Sequence, residues 1–337
     1  MVMSIIYRTG GRTLCDEPKI VVIGGGTGLS ILLRGLKRYT ANITAIVTVA
    51  DDGGGSGVLR EDLGMLPPGD IKSCILALAD MEPTMEKLLQ YRFNEGMLKG
   101  QSFGNLFIAA MNEIYGSFEM AIKEVSNVLA VTGKVLPMTL EDVTLYAELE
   151  NGQIIEGESN IPLRSRELSS GIKRVYIRPE NSDPLEEAVR AIEIADIIVL
   201  GPGSLYTSIV PNLLVNGIVD IIYESRAPKV YIANVMTQPG ETDGYSVLDH
   251  VRAILRHSRE DLLDYVIFNT EWIPKQTLEK YTLDESEPVD LNYMDEKSLN
   301  RNGIKLIKER LIDIEKDYIR HNSAKLSKLL MEIAIKS

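Results

Sequence analysis

Short apolar runs, each ending in glycine or a polar cluster, recur along this chain and alternate with segments of helical period. Lys19 to Ile23 is the first run, and after a glycine cluster Leu29 to Arg38 follows with helical spacing. "ITAIVTV" (Ile43 to Val49) comes next, then Asp196 to Leu200, "KVYIANV" (Lys229 to Val235) and "YVIFN" (Tyr265 to Asn269). Helical patterns flank these, notably Leu185 to Ala195 and Val247 to His257. Uninterrupted apolar strands alternating with helices predict βαβ units and an open, doubly wound, mostly parallel sheet, a Rossmann-like α/β fold.

The middle of the chain breaks this rhythm. Residues 71–130 read as helices, the first starting at Asp70 as N-cap of "IKSCILALA". After Pro137, alternation on both sides of Asn151-Gly152 is a hairpin signal, so 137–178 reads as a small β excursion. Together, 71–178 is expected to be a helical and β-hairpin insertion, and the polar stretch 272–303 a long loop or arm with short helices. Gly303 to Ile312 reads as a returning strand and Ala324 to Ile335 as a last helix. Because strands come from both halves, residues 1–337 are expected to form one domain.

Charge narrows the function. The net charge of −12 and the absence of a basic run argue against nucleic acid, which needs a basic face. An anionic ligand would meet an unfavourable average field, so any phosphate site must be built locally from backbone N–H groups and a few placed cations. Two cysteines, Cys15 and Cys74, allow neither a disulfide framework nor a zinc cluster. No apolar run is long enough to span a bilayer and the first residues lack a signal-peptide core, so a cytoplasmic location is expected. The histidines suggest no triad: His250 and His257, seven apart in one helical pattern, read as surface or partly packed, and His321 follows Arg320.

The candidate chemistry lies in the loops that end the strands. "VVIGGGTGLS" brings Gly24, Gly25, Gly26, Thr27 and Gly28 to the end of the first strand. Such a loop lets backbone approach a diphosphate, or it merely packs a helix close to a strand. The dinucleotide spacing is broken by Leu29, and no P-loop lysine follows. "VADDGGGSGVLRED" places Asp51 where an acid takes ribose hydroxyls, Asp52 where a carboxylate holds Mg²⁺ or is simply solvated, and Arg60 as a cation for the loop. Asn105, near a helix start, reads a base or sugar or caps the helix. "GPGSLYTS" is the densest loop: Gly201, Gly203, Ser204, Leu205, Thr207 and Ser208 would aim several N–H groups and hydroxyls at one point, a phosphate cradle without a lysine. Asn234 and Thr237, in "ANVMTQPGETDGYS", end another strand with a polar loop, which fits a single crevice at one sheet edge.

In this order the strings "IGGGTGLSILLRGLK", "ITAIVTVADDGGGSG", "PPGDI", "FGNL", "GPGSLYTSIVPNLLV" and "MTQPGETDGYS" resemble the YvcK-like gluconeogenesis factors of the CofD superfamily. The resemblance runs from about Lys19 to the C-terminus. It implies a CofD-like fold and a cytoplasmic, homo-oligomeric protein that binds UDP-N-acetylglucosamine, with room for a dinucleotide such as NAD. A regulatory role would follow, exerted on a partner enzyme of amino-sugar metabolism and linked to cell shape, peptidoglycan precursor supply and growth on gluconeogenic carbon sources. It also implies that Tyr281 in the arm and Arg320 near the C-terminus contact the UDP-sugar. The alternative it carries is a Mg²⁺-dependent transferase of the 2-phospho-L-lactate transferase type, with Asp51, Asp52 and Asp70 as candidates to hold the metal.

Overall fold

The computed structural model describes residues 17–315 and 318–336; Cys15 lies outside the described residues. The strands are β1 (Ile20–Gly24), β2 (Ile43–Val47), β3 (Lys134–Pro137), β4 (Thr144–Leu149), β5 (Ile154–Glu156), β6 (Ile172–Arg178), β7 (Ile197–Leu200), β8 (Lys229–Ile232), β9 (Tyr265–Asn269), β10 (Lys305–Glu309), β11 (Ile312–Glu315) and β12 (Tyr318–His321). Seven of them form the main sheet in the order β10-β9-β8-β7-β1-β2-β3, every neighbouring pair parallel. β1, β7 and β8 are buried at every position, which is why they read as apolar runs, with only Lys229 at the start of β8 charged. From β1 the chain moves outward to β2 and β3 on one side, then returns to β7 and continues to β10 on the other. The order therefore reverses between β1 and β7, and ligands of open α/β sheets bind outside the strand ends at such a point.

A second sheet, β5-β4-β6, is antiparallel, with Asn151-Gly152 in the turn that joins β4 to β5. Along β4 burial alternates strictly, so Leu145, Ala147 and Leu149 face the core while Tyr146 stacks on Tyr176 outside, ring centroids 5.4 Å apart. One expected boundary is corrected here. The span 71–178 is not wholly an insertion, because Lys134–Pro137 returns to the main sheet as its edge strand and only 144–178 forms the separate sheet. Pro137 cannot donate to a ladder and so argues against a strand in the sheet, which hid this one. The free side of β6 is closed by the end of the helix Val247–Arg256: His257 accepts the Val175 N–H at 2.9 Å and Arg256 donates to the Lys173 carbonyl at 3.0 Å.

The third sheet is the hairpin β11–β12. It packs with the helix Lys275–Leu283, which falls in the expected 272–303 arm, while the hairpin itself lies outside that span. This enlarged arm has its own apolar cluster of Ile273, Ile312 and Ile319, separate from the main core. No single helix among the described residues is long and apolar enough to cross a membrane.

Candidate functional site at the sheet switch point

The loop after β1 and the loop after β7 meet at the reversal of strand order. A Cβ at Gly28 would stand 2.9 Å from the Pro202 carbonyl oxygen and 3.1 Å from its carbon, so only glycine lets the two backbones touch. At Gly26, φ is +71°, the left-handed turn that starts the helix Gly26–Leu36. The glycines thus serve loop-to-loop packing as much as approach to a ligand. Above their contact opens a cavity of about 340 Å³. Gly25 to Gly28 border it on one side, and Gly203, Ser204 and Ser208 on the next. Asn234 and Thr237 close it at the end of β8, and Tyr281 and Arg320 of the arm lie across it. The first-turn N–H groups of a helix have no partner within it, so the bordering turn at Thr27 and Gly28 offers donors to an anion.

Other expected residues lie elsewhere. Gly24 and Gly201 support the loops from beneath, and Leu205 is fully buried in the core. Asn105 is buried on the helix Phe103–Tyr115, capped by Ser102, and does not border the cavity. Arg60 is not a cation for the glycine loop: it pairs with Asp142 at 2.6 Å and donates to the Val143 carbonyl at 2.7 Å, fastening its helix to the start of β4. His250 is not at the surface but fully buried, on the same face of its helix as Val247 and Ile254.

The expected cradle at 204–208 is already filled. Glu241 is buried, and its carboxylate accepts the Tyr206 N–H and the Thr207 hydroxyl, each at 3.3 Å, and the Thr207 N–H as well. Ser208 N–H bonds the Ser204 carbonyl instead. An internal anion therefore occupies the place the sequence suggests for a phosphate, and burial pushes the Glu241 carboxyl up to about 7. Asp70 behaves alike. It is not an N-cap, because its helix starts at Gly69, and its carboxylate instead accepts the Gly26 N–H at 2.8 Å. Burial and the neighbouring Asp51 raise it to about 6. Glu241→Ala is expected to free the 204–208 turn, so that the Tyr206 and Thr207 amides exchange hydrogen at least roughly tenfold faster. Unchanged exchange at both would mean that the carboxylate does not hold the turn.

Asp51 folds back on the Gly53 N–H at 2.9 Å, and Asp52 accepts the Ser159 N–H at 2.9 Å, pinning the turn after β5. That turn delivers Glu158 toward Asp51, Glu241, Asp52 and Asp70; burial first, and then these charges, push it up to about 8. No group of three His, Cys, Asp or Glu placed to hold a metal ion occurs among the described residues. Mg²⁺ commonly takes only one or two carboxylates and completes its shell with phosphates and water, so Asp51, Asp52 and Asp70, all gathered near Glu158, are the groups that could serve it here. Sequence reading assigned no role to Glu158, Glu241 or His321. A carboxylate in a turn carries no local signal of what it reaches across the fold.

The arm supplies two more details. The Tyr281 hydroxyl accepts the Ile319 N–H at 2.7 Å, which ties its helix to the hairpin. The Arg320 guanidinium lies 5.4 Å from the Tyr318 ring centroid, and the Gln238 amide bonds the Ser204 hydroxyl at 2.7 Å, tying the β8 loop to the β7 loop.

Residues 20–312 match the family described as 2-phospho-L-lactate transferase CofD. A relative from Thermoanaerobacterium thermosulfurigenes is 60% identical over 316 residues, covering 94% of this chain and 97% of its own. The gluconeogenesis factor of Bacillus subtilis is 48% identical over 319 residues, with 94% and 98% covered. A crystal structure of a upf0052 family protein from Bacillus halodurans superposes with a TM-score of 0.88 at 47% identity, covering 92% of this chain and 98% of that one. The switch-point crevice, the parallel sheet and these likenesses agree: the chain belongs to the CofD family, among its gluconeogenesis factors.

Proposed function

We propose that this chain is a regulatory binding protein whose switch-point crevice takes a nucleotide sugar, UDP-N-acetylglucosamine, without consuming it. The carrying observation is the composition of the cavity. It has a helix start, the Ser204 and Ser208 hydroxyls and an aromatic ring, but no hydrogen-bonded pair of nucleophile and base among the residues that border it. The diphosphate would lie against the first turn at Thr27 and Gly28, with Gly203 and Ser204 opposite.

NAD in the usual dinucleotide pose is the poorer fit. That pose needs the glycine-loop N–H groups and a free acid at the end of β2, whereas Asp70 occupies the Gly26 N–H and Asp51 is bonded to Gly53. The ligand is left the β7–β8 side of the sheet. Relay to a partner enzyme of amino-sugar metabolism, and with it cell shape, precursor supply and gluconeogenic growth, belongs to the same reading. The second reading, Mg²⁺-dependent transfer from a nucleotide diphosphate, is favoured by Asp51 and Asp70 beside the crevice.

Calorimetric titration with UDP-N-acetylglucosamine, with and without Mg²⁺ and with NAD for comparison, tests both. Saturable binding with intact ligand recovered supports the regulator. Metal-dependent product formation replaces it with the transferase, and no binding of the nucleotide sugar removes it.

A further inference from the structure

His321 and Asn234 both border the cavity, and each can present a hydrogen-bond acceptor to it. His321 borders it from β12. Strand alternation places His321 on the hairpin face of Ile312 and Ile319, which packs toward the body, and puts Arg320 on the other face with Tyr318. One ring N–H of His321 donates to the Ala233 carbonyl, and burial holds the imidazole down at about 4, hence neutral at physiological pH. A neutral imidazole with its one N–H spent has only an acceptor left to present. The next residue after Ala233 is Asn234, whose buried amide oxygen has no partner, while its amide nitrogen faces Gln238 at 3.4 Å.

Two neighbouring acceptors repel phosphate oxygens and reward a group rich in donors. A uracil edge offers one donor between two acceptors, whereas a pyranose with hydroxyls and an acetamido N–H offers several. Resting on the nucleotide-sugar reading above, we propose that His321 and Asn234 receive the sugar of the ligand, and that His321 sets the preference for a sugar nucleotide over the bare nucleotide. The ligand then runs from its diphosphate at Thr27 and Gly28 to its sugar beneath the hairpin.

The test uses the full chain and titrates UDP-N-acetylglucosamine and UDP into wild type, His321→Phe and His321→Gln. Phenylalanine keeps a flat ring without an acceptor, while glutamine restores one donor and one acceptor. The expected result for His321→Phe is a loss of roughly tenfold or more for the sugar nucleotide and under about twofold for UDP, with His321→Gln recovering most of it. Asn234→Ser, which leaves the hairpin untouched, is expected to move the same preference in the same direction and keeps the test open if His321→Phe fails to fold. Equal losses for both ligands, or none, overturn the assignment. A wild-type chain that binds UDP but gains nothing from the sugar overturns it while leaving a nucleotide site. A wild-type chain that binds neither overturns the nucleotide-sugar reading, and the assignment with it.

Discussion

Glu158→Gln is expected to raise the stability of the protein at pH 8 by about 2–4 kcal/mol and to flatten its stability between pH 5 and 8. The Glu158 carboxyl moves from its ordinary 4.5 to about 8 because it is buried and surrounded by Asp51, Glu241, Asp52 and Asp70. Above about pH 4.5 the unfolded chain has released this proton while the folded protein still holds it. Stability therefore falls as pH rises from there and levels off once the folded carboxyl ionises near pH 8. Asp70 at about 6 and Glu241 at about 7 act with the same sign over narrower windows. Glutamine keeps the shape and cannot ionise, so thermal melting of both proteins at pH 5, 6.5 and 8 isolates the effect of this one group. Equal melting temperatures at pH 8 would mean that Glu158 is not confined among the other carboxylates.

Gly28→Ala is expected to destabilise by about 1–2 kcal/mol and to weaken ligand binding by more than roughly tenfold. Alanine should help a helix by up to about 1 kcal/mol, so the sign itself is informative. The added methyl meets the Pro202 carbonyl, which is backbone and cannot rotate away, and the loops after β1 and β7 must part. Parting them widens the floor of the cavity where the diphosphate would rest. Urea unfolding and calorimetry on the same preparation check both halves. A variant that is more stable and binds normally would show that the two loops have slack.

Most of the fold was legible because its signals are local. β1, β7 and β8 are buried at every position, so apart from Lys229 each is an apolar run bounded by loop residues. The edge strand β3 escaped because only Val135 and Leu136 stand between Lys134 and Pro137, and a proline argues against a strand. The site was legible in its loops and obscure in their use. Glycine strings marked where backbone comes close, yet Gly28 accommodates Pro202, a relation set by two strands distant in the chain and adjacent in the sheet. The dense hydroxyl and N–H pattern at 204–208 reads as a phosphate cradle, yet the Tyr206 N–H and the Thr207 hydroxyl go to the Glu241 carboxyl. Arg60 and Asp70 failed as local readings for the same reason, since their partners come from β4 and from the β1 loop.

The apolar cluster of Ile273, Ile312 and Ile319 is not continuous with the main core. A cluster of that size gives way before the sheet does, so the arm should form its own cooperative unit and open far more often than the body. Such an opening would carry Tyr281 and His321 away from the crevice while the glycine loops stay closed on each other. A ligand held under the arm would then leave at the rate of this local unfolding, and its residence time would be set by three isoleucines, of which only Ile319 borders the cavity.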